Sequence, residues 1–186
     1  MTTSITARRF PTLSEARHTL LNLYAEVRAE LLHLPNYRVD VFAERLDRHG
    51  VEPGWEAVIA YADGVAMGYA YANTVEPGNR WWTRMTTPVP DEYTTAPAVA
   101  VKEIGVVQPW RGHGVARRIH DELLSGRPEM YATLLVNADA GDGKVRRLYE
   151  EWGYRKVSEQ QPGPESPVLA AMVRPRALPD TRGDAQ

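Results

Sequence analysis

The sequence contains no cysteine, and this absence removes several kinds of chemistry. A chain without thiols forms no disulfides, binds no metal through thiolates and carries no reaction through a cysteine-bound intermediate. The five histidines do not compensate, because no pair has ligand spacing backed by a third ligand. We therefore expect no metal in this protein.

Strong charge of one sign and long hydrophobic runs are also missing. The formal net charge is −2, and no basic face or arm stands out, so we expect no nucleic-acid partner. No stretch approaches the roughly 18 apolar residues of a membrane span, and the first ten residues lack the apolar core of a signal peptide. These features predict a cytoplasmic protein without a membrane partner.

What is present is the composition of a single globular domain. The chain has 186 residues, of which 43% are hydrophobic and 25% charged. We expect one domain over residues 1–174 and a disordered tail over residues 175–186, where no pattern is left. Only Lys102, Lys144 and Lys156 among the 22 basic residues are lysines, which hints at a GC-rich bacterial genome.

Hydrophobic periodicity predicts an alternation of strands and helices. Apolar runs predict strands over residues 5–9, 55–62, 65–73, 99–107, 130–137, 154–158 and 168–173. Helical spacing predicts helices over residues 12–33, 41–49, 115–124 and 145–152. Thr12 and Glu15 fit a capping box, Asp40 fits an N-cap, and Asp63-Gly64 marks a tight hairpin.

Residues 74–97 have no clean period and contain four prolines. Long structureless segments in compact domains are often lids or binding loops. Of the adjacent Trp81 and Trp82, we expect one to cover the core and the other to line a substrate pocket. Tyr37, between the first two helices, is a further substrate candidate. The open alternative is that these aromatic residues simply pack.

The central stretch is a strand that passes through a glycine turn into a helix. Residues 99–107 form the strand, Gln108 to Gly114 the turn, and the helix begins at Val115. Unpaired amides and the dipole of a helix N-terminus attract anions. Glycine at 112 and 114 lets the backbone approach a phosphate, Arg111 can add a two-pronged contact, and His113 can face the same phosphate.

This turn resembles the acyl-CoA-binding motif of the GNAT superfamily of N-acyltransferases, Gln/Arg-x-x-Gly-x-Gly/Ala, with Arg111, Gly114 and Ala116 at the defined positions. Asn137 followed by residues 147–154 resembles a second motif of the family, Asn…Leu-Tyr-x-x-x-Gly-Phe/Tyr. The predicted element order over residues 4–174 is also that of the family. One departure is Val145, where many members have alanine, and there we expect only a packing adjustment.

The resemblance implies a bacterial, actinomycete-type enzyme with one α/β domain. Its central sheet is expected to be mixed and mostly antiparallel, with about seven strands split between strands 4 and 5 and about four flanking helices. It also implies acetyl-CoA as acyl donor. The residues implied to contact coenzyme A are Ile104, Gly105, Val106, Val107, Arg111, Gly112, His113, Gly114, Val115, Ala116, Asn137 and Tyr149. For Asn137 a strand-end cap is the alternative.

For catalysis the resemblance implies Tyr149 as the general acid that protonates the leaving thiolate. Tyr149 also falls on the apolar stripe of its helix, so a packing role is the alternative. Glu103 is the base candidate, acting through water on the ammonium group of the acceptor. A carboxylate paired with an arginine is the equal alternative for Glu103.

The predicted function is therefore an acetyl-CoA-dependent N-acetyltransferase that acts directly on a primary amine of a small molecule or peptide. Two alternatives stay open, a non-catalytic acyl-CoA-binding or sensing module and an enzyme specific for protein or peptide amines. The expected assembly is a monomer or homodimer.

Overall fold

The computed structural model describes residues 4–176, which divide into two compact units. Of these residues, 4–75 and 99–127 form unit 1, and 76–98 and 128–176 form unit 2. The predicted disordered tail lies outside the described residues from residue 177 onward. The single domain over residues 1–174 stays a prediction.

Unit 1 is a sheet with three helices. Its elements are β1 (Ile5–Phe10), α1 (Leu13–Val27), α2 (Val39–Gly50), β2 (Glu56–Ala62), β3 (Val65–Val75), β4 (Ala98–Val106) and α5 (Val115–Leu124). The strands follow the order β1-β2-β3-β4, and β2 pairs antiparallel with both β1 and β3. Asp63 and Gly64 both have positive φ, +47° and +83°, which makes the predicted β2–β3 hairpin a type I′ turn.

Unit 2 contains three strands, one longer helix and two short ones. Its elements are α3 (Arg80–Thr83), α4 (Asp91–Thr94), β5 (Tyr131–Asn137), α6 (Lys144–Glu151), β6 (Arg155–Gln160) and β7 (Leu169–Pro175). The strand β7 pairs antiparallel with β5 and with β6. It therefore lies between them, although it is last in the chain.

The predicted α/β fold class is confirmed, with seven strands in all, four in unit 1 and three in unit 2, and antiparallel pairs in both units. Among the described residues, four helices have eight residues or more, and α3 and α4 add one turn each. In this part of the chain no helix is both long and apolar enough to cross a bilayer.

The first helix is shorter than its apolar stripe predicts. It ends at Val27 instead of residue 33, because Arg28 leaves helical geometry at φ −103° and ψ 14°. A single 3₁₀ turn, Ala29–Leu31, follows. The capping box is also altered, since Thr12 bonds the Glu15 carboxylate at 2.9 Å and makes no hydrogen bond to the helix backbone.

The second helix begins two residues before its predicted start. It runs from Val39, and Asp40 lies inside its first turn, where its carboxylate accepts hydrogen bonds from the Arg38 side chain. Asp40 is therefore not the N-cap that the sequence predicts.

The expectation of a structureless loop over residues 74–97 is wrong. Asn79 caps α3 by accepting a hydrogen bond from the Trp81 amide at 2.8 Å. Farther along, the Thr86 amide donates to the carbonyl of Glu159 in β6 at 2.9 Å, and the Thr87 and Ser158 hydroxyls lie 2.9 Å apart. The segment acquires structure because local caps and backbone pairing to β6 replace the missing hydrophobic period.

The two helices α1 and α2 are locked together by stacked aromatic rings. The centroids of Tyr24 and Phe42 are 3.8 Å apart and the rings are nearly parallel, at 4°. Both side chains are almost fully buried, with 1% and 0% exposure. A close-packed pair of this kind leaves a cavity when one ring is removed.

We therefore expect Phe42→Ala to lower the free energy of unfolding by about 3–5 kcal/mol. The control is Val51→Ala, which truncates a side chain that is 87% exposed and is expected to change stability by less than about 0.5 kcal/mol. Chemical denaturation of both variants measures the difference. Equal losses would mean that the stack does not hold α1 to α2.

Candidate functional site

The predicted anion-binding turn has the backbone that such a site needs. Gly112 and Gly114 are left-handed, with φ +77° and +75°, and a Cβ built on either residue meets nothing within 4 Å. The helix α5 begins at Val115, with no side-chain cap and no acidic residue in its first turn. Val115 is buried and anchors the turn to the core. The turn therefore offers a helix N-terminus with no competing carboxylate in its first turn.

Arg111 makes a contact that the sequence analysis did not foresee. Its Nε donates to the carbonyl of Val106 at 3.0 Å, and its Nη2 donates to the carbonyl of Val27 at 3.0 Å. The side chain therefore joins the end of β4 to the end of α1. His113 points back at the same residue, with Nδ1 2.9 Å from the Arg111 carbonyl.

The amides of β4 are divided between its two sides. The amide of Val107, one residue beyond β4, donates to the carbonyl of Met67 in β3 at 2.9 Å. Val107 therefore cannot supply the free amide that the resemblance implies for it. Because amides alternate along a strand, those of Val106 and Ile104 point away from β3.

Gly105 allows a close approach between β4 and α1. A Cβ at this position would lie 2.8 Å from Cγ1 of Val27 and 3.0 Å from Cε1 of Tyr69. A side chain here would push both neighbours away. The glycine thus serves packing in unit 1, whatever its amide does.

Glu103 is paired with two arginines. Its Oε1 accepts a hydrogen bond from Nη2 of Arg28 at 2.8 Å, and its Oε2 lies 3.7 Å from Nη2 of Arg45. The carboxylate side chain is 11% exposed. The pairing agrees with the arginine alternative from the sequence, and the base role stays a prediction. The sequence analysis missed Arg28 and Arg45, since nothing in their helix patterns distinguishes them from surface arginines.

The surroundings of Glu103 suppress ionisation of the neighbouring phenols. Burial first, and then the charge of Glu103, raise the pKa of Tyr69 well above its usual value. The same two causes, in the same order, raise the pKa of Tyr24 and of Tyr71. These three tyrosines are therefore neutral at ordinary pH.

His49 is a neutral neighbour of this cluster. Burial, followed by the charges of Lys102, Arg45 and Arg48, lowers the pKa of His49 to about 3. Its Nδ1 lies 3.0 Å from the Tyr71 hydroxyl. An imidazole that stays unprotonated adds no charge to the cluster at neutral pH.

In unit 2, Tyr149 lies in α6 among aromatic rings. It is 7% exposed and meets Trp152 and Tyr154 edge to face, with centroid distances of 5.4 and 5.8 Å. These contacts agree with the packing alternative for Tyr149, and its general-acid role stays a prediction.

Asn137 ends β5 and acts there as a local cap. Its Oδ1 accepts a hydrogen bond from the amide of Asp139 at 3.1 Å. This is the strand-end cap named as the alternative, and a contact with coenzyme A stays a prediction.

The two adjacent tryptophans differ in burial. Trp82 is 7% exposed and covers the core, and a contact of its ring with the substrate stays a prediction. Trp81 is half-buried, and its Nε1 donates to the Thr133 hydroxyl at 3.2 Å. Tyr37 lies in a 3₁₀ turn and is half-buried.

Within residues 4–176, no group of three or more His, Cys, Asp or Glu side chains could hold a metal.

Solved structures share this fold. An acetyltransferase of the GNAT family from Streptococcus agalactiae matches with a TM-score of 0.63 at 14% identity, over 92% of this chain and 96% of that one. The chain has the GNAT fold. A PaiA N-acetyltransferase from Thermoplasma acidophilum, in complex with coenzyme A, matches with a TM-score of 0.55 at 11% identity, over 92% and 99% of the two chains.

An aminoglycoside N-acetyltransferase in complex with CoA also has the GNAT fold. It matches with a TM-score of 0.56 at 18% identity, over 84% of this chain and 91% of that one. No protein-family model matches the sequence, and no curated protein matches it. At sequence identities of 11 to 18%, the similarity between this chain and these structures is a similarity of fold.

Because Arg111 bonds two backbone carbonyls, we expect Arg111→Gln to lower the free energy of unfolding by about 1–2 kcal/mol without any ligand present. The control is Arg118→Gln, which removes an exposed arginine from α5. Thermal or chemical denaturation measures both variants. A loss no larger than that of the control would show that the Arg111 side chain does not hold the strand to the helix.

The low pKa of His49 predicts a stability loss in acid. Its pKa is lower in the folded protein than in the unfolded chain, so the unfolded chain binds more protons between about pH 6.5 and pH 3. The stabilisation that comes from keeping His49 neutral is therefore fully present above pH 6.5. It is lost as the pH falls below 6.5, by up to about 1.4 kcal/mol per pH unit. We expect His49→Gln to flatten this slope. Denaturation curves at pH 4.5 to 7.5 measure the slope in the variant and in the unaltered protein, and identical slopes would contradict the assignment.

Proposed function

We propose that the protein is an acetyl-CoA-dependent N-acetyltransferase that transfers an acetyl group directly to a primary amine. The observation that carries this proposal is the glycine turn before α5, with two left-handed glycines, an uncapped helix start and no acid in the first turn. It occurs at the place where the sequence resembles the acyl-CoA motif, within a GNAT fold.

The residues at the turn fit the diphosphate of coenzyme A. The backbone from Arg111 to Ala116 would receive it, with Gly112 and Gly114 allowing close approach and His113 lying on the exposed side. The outward-facing amides of Ile104 and Val106 would receive the amide-bearing arm and the acyl carbonyl. When bound, acetyl-CoA supplies an activated acyl group and a thiolate leaving group.

The chemistry asks little of the protein. The neutral amine nitrogen forms the new bond to the acyl carbon and gives up a proton to become an amide, the carbon–sulfur bond breaks, and the departing sulfur takes a proton, so no net proton is consumed in this step. We assign that proton to the phenol of Tyr149. The ammonium form of the acceptor must first lose a proton, and Glu103 acting through water is the candidate base.

A second candidate is a module that binds acyl-CoA without catalysis. The observation that favours it is Glu103, whose two oxygens face Arg28 and Arg45 at 2.8 and 3.7 Å. A carboxylate engaged in this way fits a structural role as well as a catalytic one. Glu103→Gln separates the two candidates. If the unaltered protein turns over acetyl-CoA and the variant binds coenzyme A but has lost that turnover, the protein is an enzyme and Glu103 takes part in the reaction.

We also propose the finer points implied by the resemblance. These are a bacterial source of actinomycete type, a location in the cytoplasm, and a monomer or homodimer built from one domain. Contacts of coenzyme A with Asn137 and of the acceptor with Tyr37 and Trp81 belong to the same proposal.

The decisive experiment combines coenzyme A calorimetry with thiol release from acetyl-CoA across a panel of primary amines. We expect binding, and turnover with at least one amine. We expect Tyr149→Phe to lower kcat by about 100-fold or more, the typical contribution of a general acid, while the affinity for coenzyme A stays unchanged.

The matched control is Tyr131→Phe, which removes a hydroxyl from another tyrosine of unit 2 that packs edge to face on Tyr93. It should keep full turnover. If Tyr149→Phe behaves like this control, the acid role is wrong. If the folded protein binds no coenzyme A at millimolar concentration, the proposed function fails.

A further inference from the structure

The pair formed by Arg28 and Arg45 around Glu103 carries an unbalanced positive charge. We call these three residues, with Tyr24 and Tyr69, the Glu103 cluster. The nearby Lys102 has its own partner in Glu52, at 3.6 Å, and His49 is neutral. Two guanidinium groups therefore share the single carboxylate of Glu103, and one net positive charge remains.

The cluster is only partly open to solvent. The side chains of Arg28 and Arg45 are 31% and 30% exposed, while that of Glu103 is 11% exposed. Tyr69 beneath them is fully buried. A partly desolvated charge is costly unless a counter-charge and hydrogen bonds accompany it. The exposed thirds of the two arginines give a ligand a way to supply them.

Three buried polar groups of the cluster also lack a partner among the described residues. They are Nε of Arg28 and the hydroxyls of Tyr24 and Tyr69. Arginine Nε can only donate, and a neutral phenol donates as well. Buried polar groups without partners are rare in folded proteins and need an explanation. A water molecule could satisfy the donors, but it would leave the charge unbalanced.

We propose that the Glu103 cluster binds the carboxylate of an acceptor that carries both an amine and an acid group. A carboxylate supplies one negative charge and up to four acceptor positions, enough for one excess charge and three unpartnered donors. The assignment of this ligand as the acceptor rests on the proposed acetyltransferase function. The cluster itself lies wholly within unit 1.

The same charge argues against polycationic acceptors. An amine with several positive charges would meet two arginines and only one carboxylate, and like charges at a binding surface suppress association. One protein of the same fold is an aminoglycoside N-acetyltransferase, and aminoglycosides are polycations. We expect this chain to differ from that protein in acceptor class.

The test compares acceptors in pairs that differ only in the acid group. The pairs are alanine with alaninamide, phenylalanine with phenylalaninamide, and 4-aminobutyrate with 4-aminobutanamide, with putrescine as a polycation. We expect the acid of at least one pair to exceed its amide by about 10-fold or more in kcat/KM for thiol release, the scale of a charge-assisted hydrogen bond. Putrescine should be a poor acceptor.

Arg45→Gln should reduce this preference to less than about 3-fold, and Arg45→Lys should restore part of it. The control Arg48→Gln removes the same charge from an exposed position of the same helix and should keep the preference. Unchanged coenzyme A affinity in each variant shows that it is folded. Binding of N-acetylalanine against N-acetylalaninamide, measured by calorimetry, gives a readout that needs no turnover.

Equal treatment of acids and amides, or a preference for amides or putrescine, overturns the carboxylate site and leaves the acetyltransferase function standing. The carboxylate site is overturned in the same way if coenzyme A binds but no acid of the panel reacts or binds. If coenzyme A neither binds nor reacts, the acetyltransferase function fails. Even in that case, tighter binding of N-acetylalanine than of N-acetylalaninamide would support the carboxylate site.

Discussion

The guanidinium group of Arg111 is the contact on which unit 1 depends. It holds the carbonyl of Val106, where β4 ends, and the carbonyl of Val27, where α1 ends. The residue that follows α1 is Arg28, which pairs with Glu103 three residues before Val106. Arg111 therefore links the glycine turn to the chain segment from which Arg28 reaches the charged cluster. A substitution of Arg111 should loosen both the glycine turn and the end of α1, because hydrogen bonds from a charged donor are among the stronger ones in a protein.

Close approach and burial make this part of unit 1 an electrostatically unusual environment. Gly105 lets α1 approach β4 so closely that Val27 and Tyr69 occupy the space of a side chain. Around them lie phenols with raised pKa values and an imidazole with a lowered one. The common cause is burial, which disfavours each charged form. The two arginines stay charged in this setting because Glu103 stabilises them, and a second anion would complete the balance.

Motifs with a defined backbone were predictable, whereas positions that depend on side-chain partners were not. The type I′ hairpin at Asp63-Gly64 and the start of α5 at Val115 follow from local conformational preferences. The end of α1, the short helices between residues 76 and 98 and the choice of Trp82 as the buried tryptophan did not follow. The segment between residues 76 and 98 depends in part on a residue distant in sequence, since Thr86 pairs with Glu159.

The sequence by itself determined the α/β class, the seven strands and the position of the glycine turn, because periodicity and glycine placement act over a few residues. Only the tertiary structure decided what the charged side chains do. It turned Arg111 toward backbone carbonyls, engaged the amide of Val107 with Met67 and gave Glu103 two arginine partners. A long side chain has many rotamers, and its partner is chosen by whichever group the folded backbone brings within about 3 Å.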